Sequence, residues 1–195
     1  MKFIGFYDYT VILTYMSLVS AMAGMFLASG GRFTAAVICL VVCGICDAFD
    51  GTVARTKKNR TEDEKAFGIQ IDSLCDAVSF GVFPAMLCYR MGMNSAAGCA
   101  ILALFALCGV IRLAFFNVQE GKRQQTEGGC NKTYRGLPIT TSSIILPLVY
   151  LTRSFLPSRV FLTLLHVIMA VTGFLFILDF SVKKFDWSKV LIKNR

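Results

Sequence analysis

From Tyr9 to Ala28 the chain carries no charged residue, and stretches of the same character recur along most of its length. A helix rises about 1.5 Å per residue, so about twenty apolar residues cross a hydrocarbon core of roughly 30 Å. In lipid every backbone N–H and C=O must be satisfied within the protein, which leaves helices or closed barrels. These runs are long and continuous, where strands of a membrane barrel would alternate. The chain is therefore expected to be an all-α integral membrane protein. Its composition agrees: 55% of the 195 residues are hydrophobic and 16% charged, and the mean hydropathy is +0.63. A soluble domain of this size is excluded.

Six transmembrane helices are expected, at about Tyr9–Ala28, Phe33–Val53, Gly68–Arg90 with a bend near Pro84, Ser95–Phe116, Leu137–Leu151 and Val160–Phe180. Before them, residues 1–10 read as a short interfacial segment. The first run lacks a small-residue cleavage pattern and reads as a retained helix, not a signal peptide. A charged loop, Arg55 to Phe67, joins the second and third spans, and a polar loop, Asn117 to Gly136, joins the fourth and fifth. No internal repeat or linker divides the chain, so residues 1–195 form one membrane domain.

The net charge of +8 is spread over span ends and does not call for nucleic acid. Sixteen of the twenty lysines and arginines fall to the side holding both termini, and Arg32, Arg90, Arg153 and Arg159 fall to the other. By the positive-inside rule the termini and the loop after the second span face the cytoplasm, in the cell membrane. Of the eight cysteines, seven lie in apolar runs and only Cys130 in a loop, so they read as buried free thiols.

Acids inside membrane spans are costly and mark function by default. Asp47 and Asp50 are spaced i,i+3 near the end of the second span, and Asp72 and Asp76 are spaced i,i+4 early in the third. Each pair shares one helix face, and an antiparallel hairpin would bring the faces together. Four carboxylates so placed require a counter-charge, and hard oxygen ligands without histidine favour Mg2+ or Mn2+. Gly51, Ala54 and Gly68 let a ligand approach the backbone, and Arg55 offers a planar donor to phosphate. Together these features point to a phosphate or pyrophosphate site at the cytoplasmic interface.

At these residues the chain resembles the CDP-alcohol phosphotransferase family. The pattern D-x-x-D-G-x-x-A-R followed by G-x-x-x-D-x-x-x-D is matched by Asp47, Asp50, Gly51, Ala54, Arg55, Gly68, Asp72 and Asp76. The twelve residues between Arg55 and Gly68 exceed the usual interval, which implies a longer cytoplasmic loop. Within the family, the run from Asp72 to Ala85, the Arg112–Asn117 segment and Arg135-Gly136-Leu137-Pro138 look like those of phosphatidylserine synthases. The family's first-helix asparagine is replaced, with Ser17 as the substitute.

The resemblance implies transfer of a phosphatidyl group from CDP-diacylglycerol to serine, releasing CMP. It implies two divalent ions, Mg2+ or Mn2+, held by Asp47, Asp50, Asp72 and Asp76, with Asp76 also the general base. Gly51, Ala54, Arg55 and Gly68 would line the CDP moiety. Arg112, Asn117 and Arg135 are the candidates for orienting the acceptor, since arginine binds a carboxylate bidentately. Similar enzymes are homodimers. Two alternatives stay open: glycerol phosphate or inositol phosphate as acceptor, and a divalent-cation transporter using the same acids. Three lesser expectations complete the reading: His166 in an interhelical hydrogen bond, Arg112 either snorkelling or binding substrate, and the tail from Lys183 anchored on anionic lipid.

Overall fold

A computed structural model describes residues 4–195 apart from Arg55, Lys58, Arg60, residues 126–132 and residues 184–195; for residues 120, 122–125, 133–135 and 181–183 only the backbone is described. The chain is helical as expected. Its helices are α1 (Ile12–Ser29), α2 (Phe33–Ala54), α3 (Glu62–Asp76), α4 (Phe83–Arg90), α5 (Ala96–Gln125), α6 (Ser142–Leu151) and α7 (Ser158–Ile177). Five stretches are long and apolar enough to cross a membrane: Tyr9–Ser29, Phe33–Ala54, Glu62–Arg90, Ala96–Gln119 and Ser158–Ile177. The expected fifth span is the shorter α6, flanked by 3-10 turns at Ile139–Thr141 and Thr152–Ser154.

Two helix boundaries differ from the sequence reading for local reasons, and one loop gains a strand. Helix α3 starts at Glu62, six residues before Gly68, because Thr61 and Glu64 form a reciprocal capping box. Helix α5 runs on to Gln125 through a segment read as loop, since nothing between Asn117 and Gln125 except Gly121 opposes a helix. The polar segment then forms a three-residue strand, β1 (Thr133–Arg135), paired antiparallel with β2 (Ser181–Lys183). That ribbon ties the start of the α6 region to the exit of α7.

The bend expected at Pro84 is a π-helical turn, Ala77–Val82, joining α3 to α4. Proline has no N–H, so it cannot serve the carbonyl of Phe80 one turn back. The Ser142 hydroxyl donates to that carbonyl at 3.1 Å. Around this turn lies the core, with Phe80, Phe83, Phe105 and Phe176 fully buried. Helix α1 packs along α2, α5 along α7, and α6 against α2. Gly44 permits the last of these contacts and Gly24 the approach of α4 to α1: a Cβ at Gly24 would stand 2.2 Å from the Phe83 ring and one at Gly44 2.2 Å from the Ser143 hydroxyl.

The seven described cysteines are free. Cys99 is exposed on α5, unlike the buried Cys43, Cys46, Cys75 and Cys88. His166 does not bridge helices through its Nδ1, which bonds the Leu162 carbonyl of its own helix at 2.7 Å. Cys130 and the tail from Lys184 lie outside the described residues.

Candidate active site

The end of α2 and the end of α3 carry the two acid pairs. Oxygens of Asp47, Asp50 and Asp72 all lie within 4.8 Å of one another, a group able to hold a metal ion. Asp76 stands one turn deeper, 8% exposed, and lines a cavity with Asp47 and Asp72. The antiparallel course of the helices explains the order: Asp50 and Asp72 lie toward the loop, Asp47 and Asp76 toward the bundle interior.

Two observations test whether a cation fits. Asp72 Oδ1 is buried with no hydrogen-bond partner, although buried carboxylate oxygens normally have one. Among the described residues, no ion pair reaches any of the four aspartates. A hard cation would satisfy both.

Asp72 borders two cavities. The first, about 170 Å³, is lined by Asp50, Gly51, Ala54, Lys65, Gly68 and the α1-side hydroxyls Thr10 and Thr14. Among the described residues, a Cβ at Gly51 would meet nothing within 4 Å, so neither their packing nor φ requires glycine there. The opening it leaves faces the cavity. Thr14 and Asp72 both face Asp50. Ser17, the expected substitute in the first helix, is instead buried against Ser79 at 3.3 Å, outside this cavity. Arg55 lies outside the described residues.

The second cavity, about 320 Å³, is lined by Asp47, Asp72, Ser73, Asp76, Arg112 and Thr140 among others. Arg112 is 9% exposed and stacks 5.6 Å from the Phe116 ring centroid. It therefore does not snorkel, and its Nε is buried without a partner. Gly136, at φ +71°, lets the chain pass beneath it; a Cβ there would stand 3.2 Å from the Leu178 carbonyl and 3.6 Å from Arg112 Nε. Asn117 does not line the cavity; its Oδ1 accepts from Ser73 Oγ at 2.8 Å and ties α5 to α3 beside Asp72. Arg135 closes β1, with only its backbone described.

Above the first cavity, Lys57 bridges Asp8 at 2.7 Å and Glu64 at 2.9 Å. Asp8 in turn accepts from the backbone and hydroxyl of Thr10, a cavity residue. The Lys57 ammonium and the Thr10 donors hold the Asp8 carboxyl down at about 2. Phe6 packs edge-on to Phe67 at 5.4 Å. The interfacial segment and the charged loop thus meet as one wall. Lone charges in a loop gave no hint of this pairing, and hydroxyls of a transmembrane helix gave none of Thr10 and Thr14.

A bundle of membrane-length helices with a carboxylate cluster between two cavities defines the class: a polytopic membrane protein with a metal-capable acidic site. The chain belongs to the CDP-alcohol phosphatidyltransferase family, whose model matches residues 9–178. It is 39% identical over 116 residues to the CDP-diacylglycerol–serine O-phosphatidyltransferase of Saccharomyces cerevisiae, covering 58% of this chain and 41% of the relative. It is 34% identical over 142 residues to the archaetidylserine synthase of Methanothermobacter thermautotrophicus, covering 72% and 57%. A CDP-diacylglycerol–serine O-phosphatidyltransferase of Helicobacter pylori is 34% identical over 147 residues, covering 74% and 58%. The chain spans about half the length of the curated relatives it matches. No solved structure matches it.

Proposed function

We propose that the chain transfers the phosphatidyl group of CDP-diacylglycerol to the hydroxyl of serine, forming phosphatidylserine and CMP. The observation that carries this reading is the position of Asp72 between two cavities. One cavity offers an open glycine and Lys65 to a nucleotide diphosphate. The other offers an acid and an arginine to a small zwitterion. The names of the relatives supply the acceptor, each of them a serine enzyme.

In this reading Asp47, Asp50, Asp72 and Asp76 hold divalent metal, two Mg2+ or Mn2+ ions, and Gly51, Ala54, Arg55 and Gly68 line the CDP moiety. Bound metal would neutralise charge on the pyrophosphate. Asp76 takes the proton from the serine hydroxyl as its oxygen bonds the phosphorus bearing diacylglycerol. The phosphorus–oxygen bond to CMP breaks, and CMP leaves with the electron pair. Arg112 pairs with the serine carboxylate, Asn117 holds Ser73 and the end of α3 in place, and Arg135 adds a second cation.

We place the site on the cytoplasmic face of the cell membrane on the strength of the lysine and arginine bias. The family resemblance carries a homodimer with it, which crosslinking in membranes tests. The same Arg112 would suit a phosphorylated acceptor, so glycerol phosphate or inositol phosphate is the second reading. Purified protein given CDP-diacylglycerol, Mn2+ or Mg2+ and a panel of acceptors should release CMP with serine. Release with a phosphorylated alcohol and none with serine would leave the family and remove the serine assignment.

A further inference from the structure

At the end of α2 away from the acid cluster, roughly 20 Å off by helical rise, lies a cavity of about 400 Å³ lined by Arg32, Phe33, Thr34, Tyr150 and Arg153. The Arg153 guanidinium stacks 5.1 Å from the Phe33 ring centroid and 5.8 Å from that of Tyr150. Stacking occupies the faces of the guanidinium and leaves its N–H edge for in-plane acceptors. Thr34 and Tyr150 share a hydrogen bond at 2.8 Å that joins α2 to α6 across the same cavity. Beside it, Arg90 donates to the Ser29 carbonyl at 2.7 Å and pins the neighbouring turn.

Among the described residues, no acid pairs with the cations on this face. The connections 29–33, 90–96 and 151–158 contain Arg32, Arg90 and Arg153 and not one Asp or Glu. They contain no lysine either, so every cation there is the residue whose fork matches a phosphate. The position is that of lipid headgroups, at the ends of membrane-length helices. Leu151 and Phe155, 66% and 86% exposed, present apolar surface next to Arg153 where acyl chains would lie.

We propose that this cavity binds the phosphodiester headgroup of an anionic phospholipid in the leaflet opposite the acid cluster. The site is separate from catalysis and stands whether or not the serine reading holds.

The test is thermal unfolding of the full chain in detergent, followed by a thiol-reactive dye reporting exposure of buried Cys43 and Cys88. Added phosphatidylglycerol is expected to raise the midpoint by about 4 °C. The pair Arg32→Gln with Arg153→Gln loses most of that rise, while Arg159→Gln, on the same face outside the cavity, keeps it. Millimolar inorganic phosphate leaves the midpoint unchanged. An equal lipid response in wild type and the double variant overturns the proposal, as does an equal loss in Arg159→Gln. A rise with inorganic phosphate alone overturns the lipid as source. Should the glutamine pair fail to fold, Arg32→Lys with Arg153→Lys keeps the charge and removes the forks. It is expected to lose more than half of the response, and a full response there would mean diffuse charge and overturn the built site.

Discussion

Ser142 donates its hydroxyl to the carbonyl of Phe80 at 3.1 Å, across the space between α6 and the π turn that follows Asp76. Pro84 cannot supply the helical partner of that carbonyl. Both groups are buried, Phe80 entirely and Ser142 at 2% exposure. Removing the hydroxyl takes one hydrogen bond from this buried carbonyl, which costs about 0.5–1.5 kcal/mol. Ser142→Ala should therefore lower the unfolding midpoint in detergent by several degrees. Ser142→Thr, which keeps the hydroxyl, tests whether the bond or the volume matters; recovery of the midpoint is the expected result.

The two acids of α3 should separate by role. Asp72 joins the metal-capable group and borders both cavities, while Asp76 lines only the second. Asp72→Asn is expected to abolish both metal-dependent CDP binding and CMP release. Asp76→Asn, which removes one metal ligand together with the base, should weaken metal-dependent CDP binding without abolishing it and lose a further factor of about 10²–10⁴ in turnover, the range of a general base. Equilibrium binding of labelled CDP with and without chelator, beside CMP release, distinguishes the two. A loss of turnover in Asp76→Asn no greater than its loss of CDP binding would remove Asp76 from the role of base.

Lys57 holds Asp8 and Glu64 together over the first cavity. Asp8 is depressed from 3.8 to about 2, so its contribution is present above about 4 and lost as pH falls toward 2. The same pairings raise Lys57 above 10.5, so its side of the clasp is lost only as pH rises beyond that value. Across pH 5 to 9 the difference in unfolding midpoint between wild type and Asp8→Asn should stay constant. Salt, which screens partly exposed pairs, should shrink it. Lys57→Met is expected to raise the KM for CDP-diacylglycerol several-fold with kcat little changed. A fall in kcat alone would contradict a role in shaping the wall.

Most of the site was readable because its chemistry is local. Asp47/Asp50 and Asp72/Asp76 share helix faces by spacing alone, and any antiparallel pairing of α2 with α3 brings them close. What escaped reading was non-local or masked by type. The start of α3 was available in the Thr61-Glu62-Asp63-Glu64 capping signature, yet the density of charge around it reads as loop. The β1–β2 ribbon joins residues nearly fifty apart, through strands too short for periodicity to show. Thr14 and Ser17 look alike in sequence, and only the rotation of α1 against α2 decides that Thr14 faces Asp50 while Ser17 faces Ser79.

Gly51 offers the sharpest separation of fold from function. Its φ is not in the left-handed region, and among the described residues a Cβ there meets no atom within 4 Å. A glycine inside α2 costs about 1 kcal/mol relative to alanine, so nothing in the fold favours it. Gly51→Ala should leave the unfolding midpoint unchanged or raise it slightly. Gly51→Leu should also fold, because its side chain enters the first cavity and not the packed core. If that cavity receives the nucleotide, the leucine occupies its space, and metal-dependent CDP binding should weaken at least about tenfold, the equivalent of 1.4 kcal/mol. Asp8→Asn, which leaves the cavity volume unaltered, is the reference for indirect effects of the wall. Undiminished CDP binding in Gly51→Leu would place the nucleotide elsewhere along Asp72, on the side of Asp76 and Arg112.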